Sequence, residues 1–330
     1  MTPISTANLV IHRSQFPDQV RRDLLASLRE RRVNHKFHYD SVKQTNQWLD
    51  LHQAYSPSRN DDGCAATYDR AMAGAVETIK GEEIHLLGLG CGGGQKDTRL
   101  LKLLRAAGKR VSYTPCDVAV AMTLVARQAA LTVVAETDCF PLVCDLATAD
   151  DLPEMFAMRG WPPAPRLITF FGMIPNFEPG EILPKLAALI RPEDLLLFSA
   201  NLAPGPDYAA GVQQILPQYD NARTRDWLMT FLRDLGVERA DGDLRFGVED
   251  ASAGSGLKKV VARFQFTRAR QIGVEDEQFT FASGDGLQLF FSYRYTSTRV
   301  RRALADYGLN VEAEWLTPSG EEGVFRVRRT

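Results

Sequence analysis

The residues best suited to chemistry in this chain lie in one phrase, His85-Leu-Leu-Gly88-Leu-Gly90-Cys-Gly92-Gly-Gly-Gln-Lys96-Asp97. A short apolar run ends in a burst of glycines and then passes into residues that suit the start of a helix. Such a loop lets a ligand press against bare backbone N–H groups, because no Cβ stands in the way. The spacing Gly88-x-Gly90-x-x-Gly93 fits the dinucleotide fingerprint, whereas a nucleoside-triphosphate loop is excluded because no Gly-Lys-Ser/Thr follows. Two acidic residues extend the constellation. Asp117 closes the next apolar stretch, where a carboxylate would hold a ribose diol through two hydrogen bonds. Asp145 closes the one after, and two readings stand: it meets an adenine amino group, or it caps the helix that follows. Gly88, Gly90, Gly92, Lys96, Asp117 and Asp145 are the candidate cofactor residues.

The elements that must carry these residues alternate. Apolar runs predict strands at Ile84–Leu89, Val111–Thr114, Phe140–Cys144, Leu167–Phe171 and Leu195–Ala200. Helical patterns fall between them at Thr98–Ala107, Val118–Ala130, Asp151–Met158 and Glu181–Ile190, the signature of a doubly wound parallel α/β sheet. Ligands of such sheets bind beyond the carboxyl ends of the strands. Before this core, amphipathic helices are expected at Pro17–Arg32, around Gln47–Leu51 and from Ala65 to Lys80, with a turn cluster at Tyr55–Gly63. After Asn201 the alternation stops. A helix at Thr224–Leu235 and strands at Val260–Thr267 and Gln278–Ala282 suggest an α+β insertion. The chain ends in a helix from Ser297 to Tyr307 and a hairpin of Val311–Leu316 and Gly323–Arg328 around Thr317-Pro-Ser-Gly320. The implied organisation is a helical part (1–80), a cofactor core (81–201), an inserted part (202–295) that joins the helices in a substrate domain, and a return to the core (296–330). A parallel sheet closed by an antiparallel hairpin is the arrangement of class I methyltransferases. The nucleotide residues fit NAD or S-adenosylmethionine equally; the hairpin favours S-adenosylmethionine.

Bulk properties narrow the partners. A net charge of -2 gives no basic footprint for nucleic acid. No apolar run is long enough to cross a bilayer, and the N-terminus lacks the pattern of a signal peptide. The five cysteines are odd in number and scattered, which suits a reducing cytoplasm. Cys139 and Cys144 lack the second pair or nearby histidine that a metal site needs. The expected partner is a small molecule, with no obligate protein partner evident.

Further segments resemble one family. Phe171-Gly-Met-Ile-Pro-Asn176-Phe, after the fourth strand, is similar to the Gly-x-x-x-x-Asn-Phe turn of the histidine Nα-methyltransferases of ergothioneine biosynthesis. Lys36-Phe-His-Tyr39-Asp40, Ala54-Tyr55-Ser-Pro-Ser-Arg59 and Gln218-Tyr219-Asp220-Asn221 resemble three further elements of that family in order. Gly284 to Tyr295 keeps the spacing of its Glu-x-Ser-x-Lys block. The resemblance runs from about residue 36 to the end. It implies that Asn176 and Tyr219 grip an α-amino acid head, with Tyr39 and Tyr55 as further pocket tyrosines. It also implies that Phe290 and Ser292 occupy the positions whose Glu and Ser read the imidazole of histidine. Phe290 cannot accept a hydrogen bond, and an unpaired buried N–H costs roughly 1–3 kcal/mol. The expected activity is methylation of the α-amino group of an amino acid other than histidine, with Asn176, Tyr39 and Tyr219 orienting the amine. S-methylation of a sulfur-containing amino acid and non-catalytic binding of S-adenosylmethionine are the alternatives.

Overall fold

The computed structural model describes residues 6–158, 164–251 and 255–330. Its core strands are β1 (Val10–Ile11), β2 (Glu83–Leu89), β3 (Arg110–Asp117), β4 (Leu142–Val143), β5 (Arg166–Phe170) and β6 (Leu195–Asn201). The insertion adds β7 (Gly242–Asp250), β8 (Lys258–Phe266), β9 (Arg270–Val274), β10 (Glu277–Phe281) and β11 (Gly286–Arg294). The terminal hairpin supplies β12 (Leu309–Leu316) and β13 (Glu322–Arg329). One eight-stranded sheet runs β1-β4-β3-β2-β5-β6-β13-β12. From β4 to β6 it is parallel, and β13 pairs antiparallel with β6. Strands covered on both faces must be apolar throughout. Leu86, Leu87, Leu167, Ile168 and Leu195–Leu197 are accordingly fully buried. The chain leaves β2 towards β3 on one side and resumes at β5 on the other. This reversal opens a crevice at the carboxyl ends.

The insertion folds as a three-stranded antiparallel sheet, β11-β8-β7, beside the β9–β10 hairpin. It packs on the N-terminal helices through a shared apolar cluster that includes Leu28, Phe37, Trp227, Phe231 and Phe264. The backbone seals the junction: Val33 N donates to Gln288 O, and Gln288 N donates to Arg31 O. Trp227 Nε1 donates to His38 O at 2.9 Å. His35 and Phe291, their rings 4.7 Å apart, therefore stand where the inserted sheet meets the crevice.

Several local expectations are corrected. The Tyr55–Gly63 turn cluster contains a short helix, Pro57–Asn60, and the start of the helix Asp62–Thr78. Pro57 fits the first helical turn, and Asp61 caps the second helix by accepting from Cys64 N at 2.8 Å. The strand expected at Phe140–Cys144 shortens to two residues. Strand β1, also two residues, adds itself to β4 at the sheet edge. β7 was not expected, because glycines and charges at alternate positions dilute its apolar pattern.

Candidate functional site

The glycine loop owes its shape to the strand beside it. Gly90 N and Cys91 N both donate to Cys116 O, at 2.8 and 3.0 Å. Gly92 N donates to Asp117 Oδ2 at 3.0 Å, and Ala119 N donates to Asp117 Oδ1 at 3.1 Å. Gly90 has φ +66°, and a Cβ there would stand 2.2 Å from Met173 Sδ, so only glycine fits. Gly88 is a correction. It does not line the cavity; a Cβ on it would lie 2.0 Å from Asp97 Oδ2. Its bare backbone admits Asp97, which accepts from Tyr113 Oη and Thr169 Oγ1. Burial raises that carboxyl to about 6. Gly88 thus serves the sheet rather than a ligand.

A cavity of about 760 Å³ runs from this loop to the inserted sheet, and the other eleven candidate residues line it. At the loop end lie Gly90, Gly92, Lys96 and Asp117. Burial raises the Asp117 carboxyl above its ordinary range, against its backbone donors. Each oxygen, having accepted one backbone N–H, keeps a lone pair for a diol. Asp145 Oδ1 accepts from Ala147 N at 2.9 Å, a turn contact. It caps no helix, since the next one starts at Leu152. Its Oδ2 is buried without a hydrogen bond and lies 3.4 Å from Lys36 Nζ. A carboxylate oxygen in a cavity wall whose one partner is a long ion pair keeps a lone pair for an exocyclic amine.

At the far end Asn176 closes the short 3₁₀ turn after β5. Its Nδ2 donates to Phe291 O at 2.7 Å, which fixes the amide and leaves Oδ1 as an acceptor. Tyr219 Oη accepts from Arg294 Nη2 at 2.7 Å and bonds Ser292 Oγ at 2.9 Å. Phe290, Ser292 and Arg294 share one face of β11. Phe290 is 8% exposed, with its ring 5.3 Å from His35, 5.9 Å from Tyr219 and 6.2 Å from Trp227. Tyr39 stands between Trp48 and Trp227, and burial, helped by Asp117, holds its hydroxyl well above the ordinary range. Tyr55 differs from its companions: it is 53% exposed at the rim, near Arg223. Sequence reasoning missed Trp48, Trp227, His35 and Glu322 as wall residues. Lys36 and Arg294 stood inside motifs already singled out, which was the available signal.

The profile of the histidine-specific, S-adenosylmethionine-dependent methyltransferases matches residues 20–329. The chain belongs to that family. No curated protein matches it. Solved methyltransferase structures resemble it at low identity. The magnesium protoporphyrin IX methyltransferase of Synechocystis PCC 6803, with bound SAH, is 14% identical over 88% of this chain and 95% of its own, with a TM-score of 0.45. The amino pentose methyltransferase CalS10 of Micromonospora echinaspora is 15% identical over 80% and 92%, with a TM-score of 0.38. The CcbJ methyltransferase of Streptomyces caelestis is 10% identical over 80% and 89%, with a TM-score of 0.40. This family member is a methyltransferase that uses S-adenosylmethionine, and its parallel sheet closed by an antiparallel hairpin is the class I arrangement. The donor set of the cavity suits that cofactor: Asp117 and Asp145 offer carboxylate oxygens and Lys96 a cation, and among the described residues Lys96 has no carboxylate within ion-pair distance. Among the described residues, no helix is long and apolar enough to cross a membrane.

Proposed function

We propose that this methyltransferase acts on the α-amino group of a free amino acid, or a close derivative, whose side chain is apolar, aromatic or sulfur-containing. The observation that carries this is the far wall. A fixed amide acceptor (Asn176) and a braced hydroxyl (Tyr219) lie in one cavity with the aromatic face of Phe290. When bound, S-adenosylmethionine supplies an electrophilic methyl carbon on a sulfonium. What the chain must supply is position, because an in-line displacement depends chiefly on the approach of the nucleophile. Asn176 Oδ1 accepts from an amine N–H and aims the nitrogen lone pair. Arg294 fills one acceptor site of Tyr219, and with Ser292 as a second donor the phenolic proton is free for the substrate carboxylate. Tyr39, kept protonated by its burial, orients the amine rather than deprotonating it. The proton leaves to water.

Phe290 sets the side-chain preference. Histidine would leave an imidazole N–H facing an apolar ring, at roughly 1–3 kcal/mol, which is about one to two orders of magnitude in affinity. The test is incubation of the pure enzyme with a panel of amino acids and methyl-labelled cofactor, followed by fragmentation of the products. Label on the α-nitrogen of a non-histidine amino acid supports the reading. Label on sulfur, or on histidine alone, overturns it.

A further inference from the structure

The substrate end of the cavity holds one polar side chain that has no partner. His35 opens the short 3₁₀ turn His35–His38 and lines the cavity with Phe290 and Phe291. Its backbone is pinned on both sides. Val33 N donates to Gln288 O, and Asn34 Oδ1 caps the turn by accepting from Lys36 N at 3.0 Å. β11 is the edge of its sheet, and Arg32 pairs alongside Gln288 there. His35 therefore arrives at the open edge of the strand, where its ring touches two successive residues that point to opposite faces. It stands edge-on to Phe291 at 4.7 Å and to Phe290 at 5.3 Å. Both of its ring nitrogens are buried and make no hydrogen bond. His12, His38 and His85 are buried as well, and each gives a ring nitrogen to a partner: Asp151, the Leu289 carbonyl and Ser112.

Burial, reinforced by His38 and by the Arg32 guanidinium, holds the His35 pKa well below 6.5, so the ring is neutral. A neutral imidazole has one N–H donor and one acceptor nitrogen, and no described residue answers either. A buried polar group without a partner costs free energy, and in the wall of a binding cavity a ligand can supply that partner. The surrounding rings are apolar, so the partner must arrive as a polar edge on an apolar body. Tyr219, which holds the amino-acid head in the proposed function, packs on Phe290 at 5.9 Å, and His35 packs on the same ring at 5.3 Å. A substrate ring laid along Phe290 therefore carries its outer edge to His35. We infer that His35 is a specificity-determining residue, which hydrogen-bonds an O–H or N–H on the outer edge of an aromatic side chain. The preferred substrates are then amino acids bearing a phenol or an indole, rather than a plain phenyl ring or a thioether. This inference rests on the proposed function and narrows its substrate class to polar-edged aromatics. Histidine is not recovered by it: one ring nitrogen can meet His35, but the second still faces Phe290.

The experiment is calorimetry of the enzyme saturated with S-adenosylhomocysteine and titrated with tyrosine, tryptophan, phenylalanine and methionine. A methylation assay with labelled cofactor runs beside it on the same four. Wild type should bind tyrosine or tryptophan about ten- to a hundredfold more tightly than phenylalanine and methionine, because a site built to bond an O–H or N–H is left unpaired by an analogue that lacks it. His35→Phe keeps a ring against Phe290 and Phe291 but removes both nitrogens, and the ratio should fall to about threefold or less through weaker binding of the polar-edged ligand. His35→Gln returns a donor and an acceptor and should keep a preference of several-fold, which a merely structural role of the ring would not produce. A wild-type enzyme that binds none of the four, or binds phenylalanine as tightly as both tyrosine and tryptophan, overturns the inference whether or not a variant folds. So does His35→Phe with an unchanged ratio, since the imidazole would then only pack its edge against Phe291. The two readings fail separately: label on sulfur overturns the proposed function, while the binding ratio still decides the role of His35.

Discussion

Replacing Phe290 by glutamate isolates the side-chain preference from everything else in the site. The ring lies against His35, Tyr219 and Trp227, and its removal forfeits a buried aromatic worth about 1.5–3 kcal/mol of stability. The variant will therefore melt at a lower temperature. That loss does not reach the quantity of interest, which is a ratio between substrates on one enzyme. The new carboxylate would stand on the strand face of Ser292 and Arg294, and Arg294 Nε has no hydrogen bond in the present arrangement. Pairing an imidazole N–H that was unpaired recovers about 1–3 kcal/mol, or roughly five- to 150-fold in relative preference. The assay is competition between equimolar histidine, tryptophan, tyrosine and methionine with labelled cofactor, read as product ratios by mass spectrometry. Phe290→Glu should move the ratio towards histidine by one to two orders of magnitude, whereas Phe290→Leu, apolar but without the acceptor, should not. A wild-type enzyme that already prefers histidine, or a Glu variant with an unchanged ratio, would refute the assignment of this wall to the substrate side chain.

Asp117→Ala should weaken S-adenosylhomocysteine by about 1.5–3 kcal/mol in calorimetry, because a charged acceptor is lost and Gly92 N loses its partner; NAD should not bind either protein. Asn176→Ala should abolish methyl transfer while cofactor affinity stays within a few-fold; an equal collapse of cofactor binding would make Asn176 a structural turn residue. Acid should reveal the buried histidines. His38 donates to Leu289 O, and burial depresses it from 6.5 to about 4, so its stabilising contribution is present above pH 6.5 and is lost as pH falls towards 4. Between pH 7 and pH 5 that loss is about 2 kcal/mol. Asp97, raised to about 6, shifts the other way over the same interval, so the test is a difference: wild type should lose about 2 kcal/mol more than His38→Gln in urea titrations at the two pH values.

The layered sheet was legible because a strand covered on both faces must be apolar at every position. Runs such as Leu195-Leu-Leu-Phe198 have few other uses. The place of the two acids in the cavity wall was legible for a related reason: in a doubly wound sheet the crevice opens at strand ends, and Asp117 and Asp145 end strands or the loops just beyond them. The glycines were only half legible. The Gly-x-Gly-x-x-Gly spacing marks a tight turn, but spacing alone does not separate a glycine that faces a ligand from one that faces a neighbour. Gly88 yields to Asp97, and the difference lies in a side chain nine residues on. The aromatic wall was least legible. His35, Trp48 and Trp227 come from three separate segments, and nothing local in any of them shows that it crosses to the cavity. Glu322 was hidden likewise, as an ordinary charge beside a hairpin turn until the sheet register sets it opposite Asn201 at the end of β6.

The turn from Gly172 to Asn176 has to satisfy two ends of the cavity at once, and its hydrogen bonds are divided to match. At its start, Gly172 N is held by Ser199, which belongs to the network of Tyr68 and Glu322. At its close, Asn176 Nδ2 is held by the carbonyl of Phe291, beside Phe290 on β11. The two anchors use different atoms on different strands, so removing the Asn176 side chain leaves the Gly172 anchor in place. That separation is why Asn176→Ala is expected to spare the cofactor. It also defines the division of labour. Charge and bare backbone fix the cofactor end, where the ligand is constant. Aromatic faces and one amide line the other end, where Phe290→Glu is expected to alter what is accepted.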